Sequence, residues 1–84
     1  MSVYYKIYIK SGCPYCTKAL EVLDKHRQEY VVNVMDGNDD LLTEVKSTWN
    51  WQTIPIIIEV SDRNGFKFVG GYTDLCKHLG EEID

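Results

Sequence analysis

Cys13-Pro14-Tyr15-Cys16 falls where a strand pattern gives way to a helix pattern, and this placement restricts the fold more than any other feature of the chain. Ahead of it, Val3 to Ile9 reads Val-Tyr-Tyr-Lys-Ile-Tyr-Ile, rich in β-branched and aromatic residues, which predicts a strand. Ser11-Gly12 breaks that run, and Pro14 stands where a first helical residue needs no N–H. Cys16, Ala19, Leu20 and Leu23 then recur at helical spacing, with Val22 on the flank. Lys25, His26 and Arg27 gather where positive charge suits the end of a helix dipole, so the helix is expected from about Pro14 to about Gln28.

The rest of the chain alternates in the same way. Tyr30 to Val34 reads as a second strand, closed by the turn dipeptide Asp36-Gly37. Asn38 is placed to cap a helix with Asp39 and Asp40 in its first turn and an apolar stripe of Leu41, Leu42, Val45 and Trp49. Ile56 to Val60 is a third strand, and its three consecutive isoleucines predict burial on both faces. Asp62-Arg63-Asn64-Gly65 is hairpin chemistry leading to a fourth strand at Phe66 to Val69. After Gly70-Gly71, a last helix runs from Tyr72 to about Glu82 with Leu75, Leu79 and Ile83 inward. The order β-α-β-α-β-β-α gives an α/β fold: a parallel βαβ unit, then a hairpin and a closing helix, with helices on both faces of a mixed sheet.

Eighty-four residues suit one domain spanning 1–84. The net charge of −4, with no basic block, argues against a grip on nucleic-acid phosphates. No apolar run is long enough to span a bilayer, and the N-terminus opens as a structured segment without a signal-peptide core. Three cysteines are too few for a disulfide-stapled secreted domain, and a bridge within Cys-x-x-Cys closes too short a loop to restrain the unfolded chain much. A reducing compartment is the natural setting, with the paired thiols kept for redox chemistry or for metal.

The thiolate is the attacking species in disulfide exchange, and an ordinary thiol is only a few per cent ionised at neutral pH. At a helix start, unpaired N–H groups and the dipole favour the anion, so Cys13 is the expected nucleophile and Cys16, one turn further in, its less accessible partner. Lys10 and Lys18 can add positive charge nearby. Zinc is the alternative, with Cys76-Lys77-His78 as the other half-site, although a Cys-x-His pair on one helix points its side chains apart. Two incidental core cysteines are a further alternative. Cys76 reads as a small core residue rather than a third redox thiol, Met35 and Trp49 as packing, His26 as a charge at a helix end and His78 as a surface residue. Trp51 reads equally as packing or as an exposed aromatic edge for a partner protein.

Lys10, Cys13-Pro14-Tyr15-Cys16, Thr53-Ile54-Pro55 and Gly70-Gly71-Tyr72-Thr73-Asp74 occur in the order and spacing of the glutaredoxins, and over residues 10–74 the chain resembles the dithiol class of that family. The resemblance implies a thioredoxin-like fold with a four-stranded mixed sheet. It implies a glutathione-dependent thiol–disulfide oxidoreductase that reduces protein disulfides and glutathione mixed disulfides through Cys13 and Cys16. The Ile54–Pro55 bond is then expected to be cis, exposing the backbone of Ile54 to the cysteine portion of glutathione. Lys10 and Gln52 would serve the glycine carboxylate, Tyr15 and Thr53 would line the groove, and Gly71, Tyr72, Thr73 and Asp74 would hold the γ-glutamyl end. Taken alone, Thr-Ile-Pro is a loop entering a strand and Asp74 an ordinary first-turn acid. No tightly bound cofactor or metal is expected, with glutathione as co-substrate. Partners would be disulfide-bearing or glutathionylated clients, ribonucleotide reductase among them, met by a cytoplasmic monomer that uses neither nucleic acid nor membrane.

Two positions depart from the family. Ile56 stands where Gln or Arg often follows the proline, and Gln52 where a basic residue often helps grip the glycine carboxylate, so that grip is less charged. Two other readings remain open at this level. One is an electron donor reduced by a flavoprotein, and the other an iron–sulfur carrier ligated through Cys13.

Overall fold

The computed structural model describes residues 2–81. Four strands, β1 (Val3–Ile9), β2 (Glu29–Val34), β3 (Ile56–Ser61) and β4 (Gly65–Gly70), alternate with three helices, α1 (Pro14–Lys25), α2 (Asp39–Trp49) and α3 (Tyr72–Leu79). The sheet order is β2-β1-β3-β4. β1 runs parallel to β2, with Tyr5 opposite Tyr30 and Ile9 opposite Val34, and antiparallel to β3, with Ile7 opposite Ile57. β4 completes the hairpin with β3. This is the mixed α/β arrangement expected from the chain order and the thioredoxin-like fold that the resemblance implies, and strand ends fall within a residue or so of the sequence reading.

Side-chain alternation divides the core in two. Tyr5, Ile7 and Ile57 face one side, where Ala19, Val22 and Leu23 of α1 and Leu75 and Cys76 of α3 cover them. Ile56 faces the other side with Met35 and Leu42, flanked by Tyr8, Val45 and Phe68. The three isoleucines are therefore buried on both faces, as their run predicted. Cys76 is fully buried and packs as a core residue. Trp49 packs by stacking on Phe68, centroids 5.5 Å apart at 12°.

Four expectations are corrected. First, α1 ends at Lys25 rather than near Gln28, because Arg27 adopts a left-handed conformation, φ +55°. Gln28 N–H donates to the Leu23 carbonyl (2.9 Å) and Arg27 N–H to that of Asp24 (3.0 Å), a Schellman closure that stops the helix with arginine where glycine is usual. Second, Leu41 is half exposed at 50%, outside the stripe. The face that packs is Leu42, Val45 and Trp49, at i, i+3 and i+7. Third, Asn38 occupies the N-cap of α2, but its side chain makes no capping bond. Fourth, α3 stops at Leu79 rather than near Glu82, because Gly80 turns left-handed, φ +73°; Glu82 and Ile83 lie outside the described residues.

One polar cluster ties α3 to the sheet. Tyr5 O–H donates to Glu59 Oε2 (3.0 Å), and His78 Nε2 lies 2.7 Å from the same oxygen. His78 holds the Glu59 carboxyl below its usual range, with help from Tyr5, while burial opposes both. Burial and the neighbouring carboxylate raise the Tyr5 pKa. A depressed carboxyl contributes stability above its unfolded pKa, about 4.3, that is lost as pH falls through the folded value. A raised tyrosine contributes stability below its unfolded pKa, about 10, that is lost as pH rises. The urea midpoint should therefore stay level between these limits and fall on either side. Glu59→Gln should make the acid limb shallower, and an unaltered limb would remove Glu59 from the account.

Candidate active site

The turn between β1 and α1 is built for an exposed sulfur. Gly12 takes φ +73°, a left-handed conformation that turns the chain away from the sheet. Cys13 is then the extended N-cap of α1, with Pro14 in the first turn. The Cys13 carbonyl accepts N–H groups from Cys16 (3.1 Å) and Thr17 (3.2 Å), and its Sγ accepts the Cys16 N–H at 3.2 Å. That N–H is one of the orphan donors of the helix start, aimed at the atom that carries charge when Cys13 is a thiolate. Cys13 and Cys16 are joined as a disulfide, with Cα atoms 5.2 Å apart. Cys13 is half-buried, whereas Cys16 is only 2% exposed. An incoming thiolate can therefore reach Cys13 and not Cys16. The turn is braced from outside by Asp36, which accepts the Ser11 N–H at 2.9 Å; hydrogen bonding from Ser11 holds that carboxyl below its usual range.

A groove of about 330 Å³ opens beside this turn. Tyr15 of the cysteine motif forms one wall, 57% exposed. Thr53, Ile54 and Pro55 line it, and the Ile54–Pro55 bond is cis. Gly71, Tyr72, Thr73 and Asp74 close the far side. Asp74 Oδ2 accepts the Gly71 N–H at 3.1 Å, capping α3. Glycine is required at position 70, where φ is +122° and a Cβ would stand 2.6 Å from Asp74 Oδ2. Thus residues far apart in sequence meet around Pro55, a volume of the size that takes small ligands.

Other candidates lie elsewhere. Lys10 lines a second depression together with Cys13 and Cys16 themselves, and its Nζ is 3.3 Å from Asp39 Oδ1. Gln52 is exposed in a separate hollow beside Lys46 and Asn50. Trp51, left undecided by the sequence, is a packing residue that also borders the groove. It packs edge-on against Phe68 (5.3 Å, 66°) and lines the groove, its Cζ2 next to Gly71. Its Nε1 is buried and has no hydrogen-bond partner among the described residues. Nothing in the spacing of Trp51 signals this; only the fold of the 50–55 segment brings the ring under Gly71. Among the described residues no group of three or more His, Cys, Asp or Glu is arranged to hold a metal. Among the described residues no helix is long and apolar enough to cross a membrane.

A thioredoxin-like sheet bearing an accessible cysteine at a helix N-cap, disulfide-paired to a buried one, defines a thiol–disulfide oxidoreductase. The glutaredoxin family model matches residues 5–62, and the chain belongs to that family. The matched span includes the cysteine turn and Pro55 but stops short of Gly70 to Asp74. Similar solved structures agree on the fold. Glutaredoxin 1 of Francisella tularensis, solved with cacodylate, is 21% identical over 94% of each chain, with a TM-score of 0.72. A glutaredoxin of Brucella melitensis is 25% identical over 98% of this chain and 96% of its own, with a TM-score of 0.71. One from Archaeoglobus fulgidus is 23% identical over 95% and 88%, with a TM-score of 0.69. No curated protein sequence matches the chain.

Proposed function

We propose that the protein is a glutathione-dependent oxidoreductase, a single cytoplasmic domain that reduces glutathione mixed disulfides and protein disulfides. The observation that carries this reading is the groove itself: Tyr15 from the cysteine turn and Thr73 and Asp74 from the start of α3 line one cavity around cis Pro55. A tripeptide with its sulfur at Cys13 would lay its backbone along Ile54, in the manner of an added strand. Its α-carboxylate would meet N–H groups at the start of α3, and its ammonium the Asp74 carboxylate.

The steps follow from the exposure of the two sulfurs. The Cys13 thiolate attacks the glutathione sulfur of a mixed disulfide, a new Sγ–S bond forms, and the client leaves as a thiolate that takes up a proton. A second glutathione thiolate attacks the glutathione sulfur held on Cys13, releasing oxidised glutathione and the Cys13 thiolate. With a protein disulfide, Cys13 forms the mixed disulfide and Cys16 resolves it, giving the pair seen here. Two molecules of glutathione then reopen that pair, the first attacking Cys13. Glutathionylated proteins and ribonucleotide reductase are clients of the kind this chemistry serves.

The Asp74 contact gives a direct test. Asp74→Asn should lower kcat/KM for a glutathione mixed disulfide about tenfold or more, the loss of a hydrogen bond to a charged group, with KM carrying the change. An unchanged KM would remove the glutamyl end from this part of the groove.

A further inference from the structure

Lys18 takes no part in the steps above, yet its charge is held in a defined place. Its Nζ lies 5.5 Å from the centre of the Tyr15 ring and 6.0 Å from that of Tyr72. The two rings lie 5.8 Å apart, tilted by 32°, and both line the groove beside Pro55. A ring face attracts an ammonium through its quadrupole without neutralising it, so the charge is positioned and still available. Lys10, by contrast, is paired with Asp39, and Lys25 with Glu81. Among the described residues no carboxylate pairs with Lys18.

We propose that Tyr15, Lys18 and Tyr72 form a recognition ridge for polypeptide clients that carry an acidic side chain beside the reacting disulfide. The proposal rests on the reading of the groove as a seat for extended backbone. A client strand laid along Ile54 runs beside the contacting rings of Tyr15 and Tyr72, and the side chain next to its disulfide reaches the Lys18 ammonium held over them. The net charge of −4 repels an acidic client only from afar, since charges beyond about 10 Å are largely screened at 0.1 M salt. Contact with Lys18 is screened far less. Asp74, the carboxylate on the same groove, accepts the Gly71 N–H through Oδ2. An exposed pair of this kind gives about a two- to fivefold preference.

The test mixes protein carrying both free thiols with peptides that contain an intramolecular disulfide flanked by Glu, Gln or Lys. Two electrons pass from Cys13 and Cys16, which become the disulfide, to the peptide, whose two sulfurs leave as thiols. Acid quenching and mass spectrometry give the rate of each transfer. The Glu peptide should react about two- to fivefold faster than the Gln peptide, and the Lys peptide more slowly still. Lys18→Gln should bring the Glu/Gln ratio to one, and Lys18→Glu should invert it. The ratio divides out any effect of Lys18 on the ionisation of Cys13. Equal rates for the three peptides, or a preference that survives Lys18→Gln, would overturn the proposal. Glutathione does not enter this assay, so it remains readable even where the glutathione test fails.

Discussion

Cys13→Ser is expected to abolish reduction of both substrate classes, a loss of about 10³-fold or more, because no other accessible sulfur can make the first bond. Cys76 cannot substitute, being fully buried in the core. Cys16→Ser should behave differently. The Cys16 side chain is buried and acts only when it closes on Cys13, so the variant should keep most of its rate on a glutathione mixed disulfide. On a protein disulfide it should stall as a covalent adduct at Cys13, visible by mass spectrometry under non-reducing conditions. The Cys16 backbone N–H that reaches Cys13 Sγ is retained in the variant, so the nucleophile keeps its stabilisation. Equal loss in the two variants would contradict the division of roles.

The second large effect is on stability. Gly70→Ala should cost about 2–3 kcal/mol, the sum of a strained backbone conformation and a steric clash. At φ +122° any side chain is strained, and the added carbon would lie 2.6 to 2.9 Å from the carboxylate and Cβ of Asp74. Asp74 cannot swing away without giving up the Gly71 N–H that caps α3. For a chain of this size the loss corresponds to a drop in Tm of roughly 10–20 °C. Gly12→Ala is the control. Its φ of +73° is also left-handed, but no atom lies within 4 Å of the added carbon, so it should cost only about 1–2 kcal/mol. Equal destabilisation in the two variants would show that the Asp74 contact adds nothing.

Much of this architecture is readable in the sequence because local and tertiary preferences agree. The run Ile56-Ile57-Ile58 has no polar residue to place outward, so a central strand covered on both faces is its natural setting, and β3 is that strand. The Gly12 to Cys16 segment carries its turn residue, its N-cap sulfur and its first-turn proline in consecutive positions, so the site's core is local chemistry. What escaped depends on contacts between distant residues. Arg27 gives no sign that it will take the place of a glycine; the Gln28 and Arg27 amides close the helix through the backbone alone. Leu41 is as apolar as Leu42, and only the narrow contact of α2 with the sheet separates them. Lys10 and Gln52 are grouped by resemblance, yet the fold places them in different hollows. The Lys18 clamp is half visible: Tyr15 lies one turn ahead on the same helix, whereas Tyr72 arrives from the other end of the chain.

The proposal that glutathione drives this site is tested by asking which reductant sustains turnover. A glutathione mixed disulfide is supplied to the wild-type protein with glutathione in one arm and a flavoprotein disulfide reductase with its nicotinamide cofactor in the other. On that proposal, turnover is expected in the glutathione arm, with a rate that rises with glutathione concentration and little reduction by the flavoprotein. Turnover sustained by the flavoprotein alone, with glutathione unable to reopen the Cys13–Cys16 pair, would contradict it.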